Sequence, residues 1–151
     1  LPGATTSIQR KAGLKVCLLD AGPMVALFSP GDRFHAQFQR SILDARTPVQ
    51  LHTTWPCVTE ASHLLGPRYR LALLQWVGAG GVQVFPFDAA DLLDMCPWIA
   101  QYTQQPRTEM DLADASLYWL AGESGVTRIW TLDVRDFSRY RLPDGRPFEI
   151  Q

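Results

Sequence analysis

The sequence predicts an α/β protein, a three-layer α/β/α sandwich with a short and mostly parallel central sheet. Short runs that are apolar throughout, such as Lys15–Leu19, have the pattern of strands buried on both faces. Segments with apolar residues at helical spacing separate these runs, and this alternation is typical of parallel sheets. The length of 151 residues allows one domain with a substantial core.

The composition restricts the classes of protein to consider. An apolar fraction of 46% and five Trp indicate a folded chain rather than a disordered one. No apolar run reaches the roughly 20 residues of a membrane span, and no signal peptide pattern is present, so we expect a cytoplasmic protein without membrane contact. Three widely spaced Cys predict buried, reduced thiols rather than disulfides or a CxxC metal site.

The formal net charge of −1 does not by itself predict a nucleic-acid partner. Every basic residue other than Lys11 and Lys15 is Arg, however, and the planar Arg side chain suits bidentate contact with phosphate. Residues 1–13 are polar, lack periodicity and begin without Met, so we predict an N-terminal tail or expression remnant. The single domain is expected to span residues 14–151.

Each predicted element follows from the local pattern of apolar residues and from the Gly and Pro residues that interrupt it. The predicted strands are Lys15–Leu19, Val49–Thr53, Val82–Phe85, Arg128–Leu132 and a short one near Phe148–Ile150. The first predicted helix follows Gly22-Pro23, and the second covers Asp32 to Arg46. A third runs from Thr54 to a break at Gly66-Pro67. The remaining predicted helices are Arg68–Val77, Asp88–Tyr102, the segment from Met110 to a break at Gly122 and Gly125, and Val134–Tyr140. In the Arg68–Val77 helix, Leu71, Leu74 and Trp76 are predicted to pack.

Acidic residues recur where such a fold places its ligand sites. Asp20 and Asp133 end two predicted strands, and ligands of parallel sheets bind beyond the carboxyl ends of the strands. Asp111 and Asp114 share one face of a helix start. Glu60 precedes Leu64 by one turn, so we expect it to face the interior. Each acid alone is explained by helix capping or by pairing with an Arg, but together they predict a common site.

Several carboxylates held close together destabilise one another unless protons or cations intervene. Ligation by oxygen atoms alone favours a hard cation, Mg²⁺ or Mn²⁺, which can activate water against a phosphodiester. A di-iron site is the rival, because Glu60 and His63 form a Glu-x-x-His motif. Such sites need two of these motifs on a four-helix bundle, and this chain has one motif and several strands.

The acidic segments, taken in order, resemble those of a known family. They are Leu18-Leu19-Asp20, Thr59-Glu60, Asp111-Leu112-Ala113-Asp114-Ala115, and Thr131-Leu132-Asp133 with Asp136-Phe137. This order is similar to the signature of PIN-domain ribonucleases, and most similar to that of the VapC-type toxins of toxin–antitoxin pairs. The resemblance covers Leu14 to Ile150, and a longer polar loop, Thr103 to Glu109, departs from it.

The resemblance implies a PIN-like fold and an Mg²⁺- or Mn²⁺-dependent endoribonuclease. It implies a catalytic, metal-binding quartet, two weaker candidates that adjust it, and a hydroxyl that supports it. The quartet is Asp20, Glu60, Asp114 and Asp133. The two weaker candidates are Asp111 and Asp136, and the supporting hydroxyl is that of Thr131. It also implies a homodimer that a cognate antitoxin inhibits. We further predict RNA contacts by Arg68, Arg70, Arg135 and Arg139, with solvated surface charge as the alternative.

Two other functions remain open at this point. A PIN-like scaffold could bind RNA or protein without cutting it, and it would need no metal. A nuclease acting on DNA or on a particular nucleic-acid structure could use the same metal chemistry. Neither alternative has a sequence element in its favour, because no predicted site acid is missing and no helix-hairpin-helix or arch is evident.

Overall fold

A parallel sheet forms the centre of the molecule in the computed structural model, which describes residues 14–43, 46, 48–104 and 106–151. Its strands are β1 (Lys15–Leu19), β2 (Val49–Thr54), β3 (Gln83–Phe85), β4 (Arg128–Trp130) and β5 (Glu149–Ile150). Their order is β3-β2-β1-β4-β5, and every neighbouring pair is parallel. The predicted strands are all present, although β4 ends two residues earlier than predicted. The predicted N-terminal tail lies outside the described residues.

Helices cover both faces of this sheet, which confirms the predicted three-layer α/β/α architecture. They are α1 (Ala21–Phe28), α2 (His35–Leu43), α3 (Trp55–Gly78), α4 (Leu92–Tyr102), α5 (Leu112–Ser124) and α6 (Val134–Arg139), with a 3₁₀ turn at Ala89–Asp91 before α4. Parallel strands need crossover connections of this kind, and the helices supply them. Among the helices described, none combines the length and the apolarity needed to cross a bilayer.

The central strand β1 explains why the core forms where it does. Cys17, Leu18 and Leu19 are completely buried, as expected for a strand covered by helices on both faces. The register pairs Leu19 of β1 with Trp130 of β4, so the carboxyl ends of these two strands lie side by side. The fold therefore brings the segments that follow β1 and β4 to the same edge of the sheet.

The long helix α3 is interrupted at the predicted position. Gly66 has a φ of 69°, in the left-handed region that favours glycine, and Pro67 starts the second half of the helix. This interruption resets the phase of the helix, so that Leu73 is buried while Leu71 and Leu74 are 61% and 42% exposed. The predicted packing of Leu71 and Leu74 is therefore wrong, because the side of this second helical half that meets the core is the one that carries Leu73.

Three other local predictions need correction. Helix α5 continues through Gly122 and ends at Gly125, whose φ of 73° forms a left-handed C-cap. Thr54 precedes α3 as predicted, but its hydroxyl pairs with that of Ser116 at 2.6 Å instead of capping the helix. Cys96 is exposed, whereas Cys17 and Cys57 are buried as expected.

Candidate metal and active site

An acidic pocket of about 390 Å³ opens at the carboxyl end of the sheet. Five carboxylates line this pocket, those of Asp20, Glu60, Asp111, Asp114 and Asp133. They come from the segments that follow β1 and β4, from the second turn of α3 and from the start of α5. The structure thus brings the predicted quartet and Asp111 to one place, although these residues are distant in the sequence.

Asp20 is held at the pocket by two hydrogen bonds. It follows β1 directly and caps α1, with its Oδ1 accepting the Ala21 N–H at 2.8 Å. Its Oδ2 accepts the Thr131 hydroxyl at 2.7 Å. The same hydroxyl oxygen accepts the backbone N–H of Asp133 at 3.0 Å. Thr131 therefore links the two strand ends, at the position where the resemblance placed a supporting residue.

The start of α5 positions a second pair of acids. Asp111 caps the helix, with its Oδ1 accepting the Asp114 N–H at 2.8 Å, and its own side chain stays exposed. Asp114 is buried, and its Oδ2 accepts the Tyr140 hydroxyl at 2.6 Å. Tyr140 is fully buried and 26 residues away in the sequence, so no spacing pattern predicted this contact.

Asp133 begins α6 in the same way that Asp20 begins α1. Its Oδ1 accepts the backbone N–H of Asp136 at 3.2 Å. Carboxylate oxygens of Asp114, Asp133 and Asp136 all lie within 4.8 Å of one another. Asp136 also forms a salt bridge with Arg139 at 3.0 Å, so its charge is already compensated within the protein.

Glu60 occupies the mouth of the pocket rather than its floor. Its side chain is exposed, and Leu64 one turn later is 61% exposed. The expectation that Glu60 faces the interior is therefore wrong. Both residues nevertheless line the acidic pocket, because the pocket opens to solvent beside this face of α3.

Two acids of the pocket, Asp114 and Asp133, resist ionisation. Burial, reinforced by the charge of Asp111, raises the pKa of Asp114 to about 8. Burial, followed by interaction with Asp136, raises the pKa of Asp133 to about 6. Loss of hydration is thus the first cause of the raised pKa at both sites. The second cause is the charge of Asp111 at Asp114 and the side-chain hydrogen bond with Asp136 at Asp133.

The pKa values of the other two members of the quartet, Asp20 and Glu60, are also raised. Burial raises the pKa of Asp20 against the opposing hydrogen bonds from Thr131 and Ala21. At Glu60, partial burial and the charges of Asp111 and Asp20 also raise the pKa. Within the described residues, no Lys or Arg forms an ion pair with any of the five lining carboxylates. This set of oxygen donors with excess negative charge fits a hard divalent cation such as Mg²⁺ or Mn²⁺.

The four Arg residues predicted to contact RNA differ in how freely they can do so. Arg68, Arg70 and Arg135 are exposed. Arg139 instead forms hydrogen bonds within the protein, to the Asp136 carboxylate at 3.0 Å and to the Tyr102 carbonyl at 2.9 Å. These contacts favour a structural role for Arg139 beside the site.

No protein-family model matches this sequence, and no curated protein matches it either. Among solved structures, the chain is similar to VapC20 of Mycobacterium tuberculosis, a toxin that cleaves the sarcin-ricin loop. The TM-score is 0.64 with 19% sequence identity, over 81% of this chain and 92% of VapC20. The chain therefore has the PIN-like α/β/α fold of this toxin.

Proposed function

We propose that this protein is an Mg²⁺- or Mn²⁺-dependent endoribonuclease, the toxin of a toxin–antitoxin pair. The convergence of five carboxylates in one pocket, without a cationic side chain among the described residues to neutralise them, supports the proposal most strongly. Maintaining this cluster costs stability, so a fold that keeps it most simply does so to bind a cation. The shared fold with an RNA-cleaving toxin favours RNA as the substrate.

In this proposal, Asp20, Glu60, Asp114 and Asp133 hold the cation, directly or through water. The cation, when bound, orients and acidifies water and neutralises charge on the phosphate. Thr131 fixes the orientation of the Asp20 carboxylate by its hydrogen bond to Oδ2. Asp111 adds negative charge at the rim of the pocket, and Asp136 adjusts the site beside Asp133.

The overall reaction is hydrolysis of an RNA phosphodiester. Water forms a new bond to phosphorus while the bond from phosphorus to O3′ breaks. One water proton leaves to solvent or to a pocket carboxylate, and the departing O3′ acquires a proton. The products are a 5′-phosphate on one fragment and a 3′-hydroxyl on the other.

Exposed basic side chains are proposed to contact the RNA backbone. Arg68 and Arg70 lie in the second half of α3, which follows the segment carrying Glu60. Arg135 follows Asp133 by two residues at the start of α6. We further propose a cognate antitoxin as inhibitor, a homodimeric state and a cytoplasmic location, all supported by the toxin-like fold.

The deciding experiment is incubation of a mixed cellular RNA pool with the purified protein in Mg²⁺, in Mn²⁺ and in EDTA, with mapping of the ends. We expect cleavage with either cation and none in EDTA, with 5′-phosphate ends. Asp20→Asn keeps the side-chain shape and removes the charge, so it should fold and lose cleavage. A DNA pool treated in parallel distinguishes an RNase from a general nuclease.

Two results would contradict the proposal. Cleavage by Asp20→Asn at the parent rate would show that the pocket is not the active site. An absence of both cleavage and Mg²⁺ or Mn²⁺ binding, the latter measured by calorimetry, would instead favour the scaffold alternative.

A further inference from the structure

An apolar groove of about 750 Å³ adjoins the acidic pocket. Trp55 and His63 of α3, Phe87 after β3 and Leu112 of α5 contribute to its walls. Trp55 is 51% exposed and Leu112 is 44% exposed, so both apolar side chains are accessible to a ligand in the groove. Phe87 is held against Trp119 in an edge contact, with ring centroids 5.9 Å apart. The groove is therefore a preformed apolar surface with at least one fixed aromatic wall.

The groove shares part of its wall with the acidic pocket. Glu60 and Asp111 line both cavities, so these two carboxylates form the border between them. The phosphate and the base of one nucleotide are separated by a single ribose. An RNA strand with its phosphate in the acidic pocket therefore brings a neighbouring base to the groove.

The chemistry of the groove suits a nucleobase better than a phosphate. No Lys or Arg is among its described lining residues, so a phosphate finds no cation there. An exposed indole ring can instead stack on a base, an interaction that tolerates every base because each has a π-face. Thr59 and His63, both exposed in the same wall, supply hydrogen-bonding atoms for the edge of the base. The volume is within the range of about 300–1,000 Å³ found for small-ligand pockets.

We propose that this groove is a base-binding subsite for the unpaired nucleobase next to the cleaved phosphate. Trp55 is the stacking platform, and His63 contacts the edge of the base. This proposal rests on the nuclease function proposed above and adds a substrate class to it. Because a base in a duplex is stacked and paired, the subsite selects single-stranded or looped RNA.

The first test measures binding without any cleavage. In EDTA, the protein is titrated with adenosine, guanosine, cytidine and uridine, and with ribose as the base-free control. We expect at least one nucleoside to bind about tenfold or more tightly than ribose, and Trp55→Ala to remove this difference. Trp55→Phe keeps an aromatic ring and should retain most of the affinity. Leu93→Ala is the matched control, because Leu93 is 77% exposed on α4 and does not line the groove.

The second test measures cleavage of a single-stranded RNA by the same variants in Mg²⁺. We expect Trp55→Ala to lower kcat/KM by about tenfold, mainly through KM, and His63→Ala to change the base preference beside the cleaved bond. Circular dichroism and thermal melting check that each variant folds. This check is expected to succeed because Trp55 and His63 are both exposed.

The outcomes separate the two proposals. Nucleoside binding through Trp55 in a protein that cleaves no RNA would support the subsite and contradict the nuclease. If RNA is cleaved by Trp55→Ala at the parent rate and no nucleoside binds better than ribose, the subsite is wrong while the nuclease stands. In that case, binding of an apolar segment of a protein partner would be the alternative role of the groove.

Discussion

The two edges of the parallel sheet carry very different arrangements of charge. At the carboxyl edge, five carboxylates share one pocket, and two of them, Asp20 and Asp114, are buried. At the amino edge, a cavity of about 250 Å³ is lined by residues that include Arg128 and Glu149, which are both exposed. Glu149 accepts a hydrogen bond from the Thr127 hydroxyl at 3.1 Å.

The charges at the two edges differ in their effect on the stability of the fold. Exposed charges of both signs, as at the amino edge, change stability little in either direction. Buried like charges, as at the carboxyl edge, destabilise the folded state. The same strands support both edges, so the sheet itself does not require the acidic cluster. The cation-dependent function proposed above would account for its presence.

The largest expected difference between the edges is in activity. Asp114→Asn should lower the rate of RNA cleavage by more than about 100-fold, because charge stabilisation by a bound metal is worth several kcal/mol in the transition state. Glu149→Gln removes a carboxylate from the other edge and should stay within about twofold of the parent. Initial rates in Mg²⁺ measure both. Equal losses in the two variants would mean that the comparison does not identify the active edge.

The second difference concerns stability and pH in the metal-free protein. Asp114 has a pKa of about 8 in the fold and about 4 when unfolded. Between these values the folded state holds a proton that the unfolded state lacks, so stability falls as pH rises from about 4 to 8. Asp133, with a pKa of about 6, adds a fall of the same sign over the lower half of this range.

Asp114→Asn should therefore lower the slope of the stability curve throughout the range from about pH 4 to 8. Urea denaturation in EDTA should find the variant more stable than the parent at pH 8, by an amount on the order of a few kcal/mol. The two proteins should differ little near pH 4, where the aspartate is protonated in the folded state and half-protonated in the unfolded one. An unchanged slope in Asp114→Asn would contradict the raised pKa of Asp114.

A smaller effect is expected from the hydroxyl that supports Asp114. Tyr140→Phe removes the 2.6 Å hydrogen bond to Oδ2 and should weaken Mg²⁺ binding by about tenfold, since groups that orient metal ligands have effects of this size. Tyr102→Phe is the control, because its hydroxyl donates to the Arg141 carbonyl at 3.0 Å and contacts no acid of the pocket. Calorimetric titration measures both. Similar losses in the two variants would indicate a general packing defect.

The sequence predicted the parts of the site that depend on topology. Asp20 and Asp133 follow strands, and parallel strands place their carboxyl ends at one edge, so their convergence could be expected. The contact of Tyr140 with Asp114 could not, because it depends on how α6 ends against α5. Glu60 lies between these cases, since the helix period gave its side of α3 but not whether that side opens to solvent.

The errors in the fold have a similar physical origin. Leu71, Leu73 and Leu74 are all apolar, so the pattern after the break at Gly66 does not fix which side of the following helix meets the core, and the structure buries Leu73. Leu71 and Leu74 were therefore expected in the core and are exposed instead. A glycine can adopt a left-handed backbone conformation, but the sequence alone does not show whether it does so, because that depends on the surrounding packing.

The smallest expected effect tests this last point with two glycines at the end of one helix. Gly122 lies within α5, where a Cβ added to it would have open space within 4 Å, whereas Gly125 has a φ of 73° and lines the cavity at the amino edge. Gly122→Ala should stabilise the protein by about 0.5–1 kcal/mol by lowering the entropy of the unfolded chain. Gly125→Ala should destabilise it by about 1 kcal/mol, because an L side chain is strained in the left-handed region. Urea denaturation gives both values, and RNA cleavage should be unchanged in both variants, since neither residue lines the acidic pocket. Destabilisation by both substitutions would contradict the helical conformation of Gly122, and stabilisation by both would contradict the left-handed conformation of Gly125.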